Sequence, residues 1–331
     1  MTSTTHAAAE QAMALVGHHY RCREPFVVER RHIHEFARAV QAFNPAHWDE
    51  RAARHLGYEA IVAPPTFAAL VWHKARREIL EHLITGYHID RVVHVDQTLE
   101  IGRPLLAGDV LTCDVYFESF RHFHSFDVIT VTAVLTDQHG LPVQTGSTAV
   151  LAHTGAHTRD KDHRHCAPTD LIAADDTRFA VVRRPRRPRT GVNFDRLAVN
   201  TELRATNVNL TARDLMNFAR VVGDTPTTAT DRLAARPPLV APGLLVLALT
   251  AEYVTSWCKD PGAVTKYHAE FANQVHYLMV PQAGGTDIEF HGRITELDHL
   301  QRTATVSVSA KSQGRKLFGY ASATVQFARP L

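Results

Sequence analysis

The chain has little cysteine, and what it has is scattered: Cys22, Cys113, Cys166 and Cys258 stand far apart, with no Cys-x-x-Cys pair. That excludes the spacing of small zinc modules and disulfide scaffolds and fits free thiols in a reducing compartment. No apolar run approaches the roughly 20 residues that cross a bilayer as a helix. The segment Met1 to Gln11 carries no basic cluster ahead of an apolar stretch, so no secretory signal is expected, no membrane partner, and a cytoplasmic location. The net charge is only +2, too little to argue for nucleic acid. Histidine, by contrast, is plentiful at 22 residues. Its densest groups, His122/His124 and His163/His165/Cys166, lack partners spaced to close a tetrahedral shell, and no metal site is expected.

With 331 residues, 45% apolar and 21% charged, the chain can bury substantial cores, and two domains are the natural expectation. Residues 154–192 read as a linker. They mix His, Asp, Thr and Pro without periodicity and include the run Arg183-Arg184-Pro185-Arg186-Arg187-Pro188-Arg189, a solvated connector or a docking patch for an anionic partner. The expected domains are therefore 12–153 and 193–331.

The two flanks share one order of elements. In the first, a short helix near Arg31 to Phe43 leads into Asn44-Pro45-Ala46-His47, then a polar helix near Trp48 to Leu56. A long helix from Thr66 to about Leu83 follows, with strands at Val92 to Ile101, Val110 to Phe120, Phe126 to Asp137 and Val143 to His153. In the second, a helix Thr211 to Val222 with Thr211 as N-cap precedes Gly223-Asp224. An almost wholly apolar helix runs from Leu244 to Trp257, followed by strands at Tyr267 to His276, Asp287 to Leu297, Thr303 to Ser312 and Leu317 to Phe327. A helix that is apolar all round must be buried on all sides, which a strongly curved antiparallel sheet achieves by wrapping it. Sheets that leave an edge open are usually paired with another copy.

This order, with Phe43-Asn44-Pro45-Ala46-His47-Trp48 and Phe218-Ala219-Arg220-Val221-Val222-Gly223-Asp224 as two unequal pieces of one signature, resembles the MaoC-like hotdog hydratases and dehydratases. The first half is similar to the non-catalytic subunit of heterodimeric (3R)-hydroxyacyl-thioester dehydratases over Leu56-Gly57-Tyr58, Ala63-Pro64-Pro65-Thr66-Phe67 and Val95-Asp96-Gln97. The second half is similar to the catalytic subunit over Tyr253-Val254-Thr255-Ser256-Trp257 and Asp260-Pro261-Gly262-Ala263-Val264-Thr265. The resemblance implies an α+β double hotdog, two curved antiparallel sheets each around a long central helix. It also implies acid–base removal or addition of water on an acyl-CoA or acyl-carrier-protein thioester, without redox cofactor or metal.

As implied by the resemblance, His47, Asn44 and Asp224 are the catalytic candidates, with Gly243, Gly223, Thr228 and Thr66 at the oxyanion and substrate. The acyl slot is expected at the seam of the two halves, beside His47. Possible assemblies are a homodimer of double hotdogs or a complex with a partner dehydratase subunit. The chain departs from the pattern in both halves. Ala42 stands where the first copy would carry Asp, Pro65 where it would offer a backbone N–H, and Thr228 or Ala229 where the second copy would carry His. Two other readings stay open on that account, a non-catalytic acyl-thioester-binding subunit and a thioesterase.

Overall fold

The structure, a computed structural model, describes residues 3–84, 87, 92–123, 126–153, 171–173, 180–183, 187–223, 227–228, 238–271 and 278–329. Six α-helices appear among them: α1 Ser3–Leu15, α2 Arg30–Ala39, α3 Glu50–His55, α4 Ala69–His82, α5 Ala212–Val222 and α6 Gly243–Cys258. Thirteen of the described strands join into one antiparallel sheet, beside a small three-stranded sheet of Thr227–Thr228, Leu239–Val240 and Met279–Val280, and two curved halves of the large sheet each face a central helix, α4 or α6. The halves meet edge to edge where Val92–Ile101 pairs with Val264–Phe271, Tyr267 standing opposite Leu99. Each half thereby covers the other's open edge, whose unpaired N–H and C=O groups would otherwise remain exposed.

Local sequence explains the elements that aim the loops. In α2, Ile33, Phe36 and Ala37 recur at helical spacing and are buried on one face. The helix stops as Gln41 takes a left-handed φ of 53°, and Asn44 then caps a short 3-10 turn, Pro45–His47, its side chain accepting from the Ala46 N–H. Helix α5 begins with a reciprocal capping box between Thr211 and Asp214 and ends at Gly223, whose φ of 77° suits a residue without Cβ. Helices α2 and α5 pack together, Phe36 and Phe218 lying 6.4 Å apart by ring centroid. Helix α6 is almost wholly apolar, with Thr250, Glu252 and Thr255 as buried polar exceptions, and all but a few of its residues are buried.

The central helix of the first half starts later than expected, at Ala69 rather than Thr66. Pro64 and Pro65 cannot donate, so the chain enters through tight turns in which Phe67 N–H donates to the Pro64 carbonyl and Ala69 N–H to that of Thr66. Strands Val92–Ile101 and Thr303–Ser312 match the expected bounds, and in the latter every second residue is buried. The strand expected to end at His276 runs as Val264–Phe271; residues 272–277 lie outside the described residues. Helix α1, strand His18–Arg21 and strand Thr206–Thr211 were not anticipated.

A buried polar knot ties the halves. The Tyr58 hydroxyl donates to Asp260 at 2.5 Å and accepts from the Gly262 N–H at 2.8 Å, while the Arg189 N–H donates to the other Asp260 oxygen at 2.7 Å. Asp260 is fully buried, so losing a donor costs a charged group part of its solvation. Tyr58→Phe is expected to destabilise the protein by about 1–3 kcal/mol, read as a lowered urea midpoint.

Candidate functional site

His47 sits inside the first half. It is fully buried, and its Nδ1 lies 2.6 Å from the Val62 carbonyl oxygen. A carbonyl only accepts, so Nδ1 carries the proton and Nε2 the lone pair. That Nε2 has no hydrogen-bond partner among the described residues. Burial pushes the imidazole down to about 4, against a smaller opposing effect of the Val62 bond. Asn44 turns outward from this loop, its Nδ2 donating at 3.0 Å to the carbonyl of Lys259, just past the C-terminal end of α6. Thr66 is buried in the turn that leads to α4.

The second half's candidates lie elsewhere. Gly223 ends α5, and a Cβ placed on it would stand 3.4 Å from the Arg77 guanidinium of α4. Asp224 lies outside the described residues, as does the side chain of Thr228; the Thr228 backbone pairs with Leu239. Gly243 opens α6, where the first N–H groups have no acceptor within the helix and the helix dipole favours negative charge. The Phe271 ring closes over it, 3.0 Å from where a Cβ would be. His47 and Gly243 are not brought together: the His47 loop touches one end of α6 and Gly243 is the other, roughly 22 Å away along sixteen residues of helix.

The acyl slot is expected at the seam beside His47; one cavity of the structure is lined, among the described residues, without His47. This cavity, of about 100 Å³, lies between α4 and the inner face of the first sheet, walled mostly by apolar side chains such as Ile79, Val115, Phe117 and Ile129. Among the described residues, its one wall residue from the second half is Leu244, the neighbour of Gly243. The indole of Trp72 packs on Gly146, so close that a Cβ there would stand 2.6 Å from the ring; its Nε1 has no hydrogen-bond partner among the described residues. The cavity lies where the opening of α6 comes against the first half's sheet.

Three basic side chains that sequence reasoning missed enter this apolar space: His73, Arg76 and His94. His73 Nδ1 lies 2.9 Å from an Arg76 guanidinium nitrogen. Burial first, then the charge of Arg76, pushes His94 down to about 3, so it is neutral at any ordinary pH. His94 also stands 6.4 Å from the Phe271 ring that covers Gly243. The available signal was that His73 and Arg76 interrupt the apolar face of a helix expected to be core. At the seam, Asp96, His268 and Glu270 place possible metal-ligand atoms within 4.8 Å of one another, with Asp96 and His268 already paired at 2.9 Å. No helix among the described residues is long and apolar enough to cross a membrane.

Comparison with known proteins bears on the family and the fold. The model of the FAS1-like dehydratase domain region matches residues 14–146. A UPF0336 protein of Mycobacterium tuberculosis (strain ATCC 25618 / H37Rv) is 37% identical over 153 residues, 46% of this chain and 92% of that protein. A solved structure titled MaoC-like dehydratase superposes with a TM-score of 0.83 at 35% identity, covering 96% of this chain and all of the other. At 14% identity and a TM-score of 0.60, a Mycobacterium tuberculosis protein described as a double hotdog covers 94% of this chain and 96% of its own, a likeness of fold.

Proposed function

Because the chain belongs to the MaoC-like hotdog dehydratases, as a double hotdog, we infer that it adds water to, or removes it from, the C2–C3 bond of an acyl thioester. The observation that carries this reading is the cavity of the first half, closed on one side by Leu244 and so adjacent to the helix opening at Gly243. An acyl group in that cavity sets its thioester carbonyl toward the free N–H groups at the start of α6. Donors fixed there stabilise the oxyanion of an enolate-like transition state without reorganising. Asp224, which follows Gly223 in the sequence, remains the proposed carboxylate partner, and the substrate is a CoA or carrier-protein thioester.

Size favours a short acyl group. A cavity of about 100 Å³ has room for on the order of four carbons, by comparison with a 150 Å³ cavity that holds benzene. Ala133 lines the cavity, and Ala133→Leu is expected to raise KM about 10-fold or more for the longer members of a trans-2-enoyl-CoA series before the shortest. The reading is tested by following hydration of that series with the wild-type protein; no turnover with any member overturns it.

His47 and Asn44 are assigned to the architecture of the first half, since the one is sealed against Val62 and the other holds the end of α6. That same sealing favours a second reading, a binding subunit without turnover. Stabilisation by acyl-CoA in the absence of hydration would select it.

A further inference from the structure

The second half has Thr228 and Ala229 where the dehydratase pattern carries an imidazole, and the first half directs two imidazoles into the space beside Gly243. His73 is the better placed. It lies on α4 one turn before Arg77, and residues four apart share a helix face. Arg77 is the side chain beside Gly223, at the end of α5. Across the cavity, His73 faces a wall that includes Leu244, at the start of α6. Its helix therefore borders both stretches of the second half that the pattern assigns to catalysis, Gly223 through Arg77 and the start of α6 through the shared cavity.

Its chemistry is equally defined. A guanidinium can only donate, so the 2.9 Å contact with Arg76 makes Nδ1 the acceptor and leaves the proton of a neutral ring on Nε2. An Nδ1 that accepts carries no proton, so in this contact the ring offers a single N–H, which suits a hydrogen-bond donor. His94, held neutral opposite, adds no competing charge.

Resting on the dehydratase reading above, we propose that His73 supplies from the first half the imidazole N–H that holds the oxygen at C3 of the acyl thioester, as entering water or departing hydroxyl, beside the Gly243 helix opening. The active site is then composite: acyl pocket and oxygen holder from one half, oxyanion donor from the other. His73 moves no proton: the proton that passes between that oxygen and C2 travels on the carboxylate proposed above, and His73 fixes the oxygen whose bond to C3 forms or breaks.

The test is steady-state hydration of short trans-2-enoyl-CoA by the full chain and by His73→Leu, His73→Ala and His73→Gln, with thermal midpoints measured in parallel. The apolar variants are expected to lose about 10²-fold or more in kcat, with KM changed less than about threefold, as when one transition-state donor is removed. Gln, which keeps an N–H near that position, is expected to hold at least about tenfold more activity than Leu. Should Leu fail to fold, the ratio of Gln to Ala decides. A wild type that turns over, with Leu or Ala within about threefold of it, overturns the role of His73 and leaves the dehydratase reading intact. A wild type inactive on the whole series overturns both.

Discussion

Gly243→Pro is expected to lower kcat for enoyl-thioester hydration by about 10²–10³-fold, as the loss of one oxyanion donor does elsewhere. The change is informative because the first half already carries it: Pro64-Pro65 stands where the second half has Pro242-Gly243. Proline is well tolerated at the first position of a helix, so α6 should still form. Any side chain at this position meets the Phe271 ring, with an ideal Cβ 3.0 Å from its nearest carbon, and the ring must give by a few tenths of an ångström. Gly243→Ala imposes that same contact while keeping the N–H. The ratio of the Ala to the Pro variant therefore isolates the amide, and equal activities would remove Gly243 from the oxyanion role.

His47→Leu is expected to cost stability, about 2–4 kcal/mol at pH 7, because a buried carbonyl loses its donor and the site repacks imperfectly. The cost should depend on pH. Burial holds the folded imidazole near 4 while the unfolded chain titrates near 6.5. Between those values the unfolded state binds the extra proton, so the contribution of His47 is complete above 6.5 and is lost as pH falls toward 4. The integral is about 3 kcal/mol. His94 acts in the same direction. Glu252, pushed up to about 7 by burial, acts oppositely: its share is complete below its ordinary 4.5 and is lost as pH rises through 7. Subtracting the urea stability of the Leu variant from that of the wild type at each pH cancels both. The difference should shrink as the solution is acidified, and a flat difference would mean that His47 is exposed or charged in the fold.

Much of the architecture is legible because it rests on local rules. Alternation along Thr303–Ser312, the turn signals before Val110 and the Thr211 cap each state their element without reference to the rest of the chain. The duplication shows in the repeated order of helix, loop, long helix and strands. Helix α1 escapes because a run of small residues from Ser3 to Leu15 has no apolar stripe. The site is only half legible. Gly243 stands out by a helix-start rule and by resemblance. His73 and Arg76 show only as polar breaks in an apolar helix face and His94 carries no mark at all, since their meaning arises only when the opening of α6 arrives against the first sheet. His47 has the opposite history: its loop matches the signature, yet the fold turns the imidazole inward onto Val62.

The composite site is tested most directly by a crystal structure of the protein with a short, non-reactive enoyl-thioester analogue. The account places the acyl group between α4 and the first sheet, the thioester oxygen on the N–H groups at Gly243 and Leu244, and C3 next to His73. An analogue bound beside His47, at the far end of α6, would contradict it.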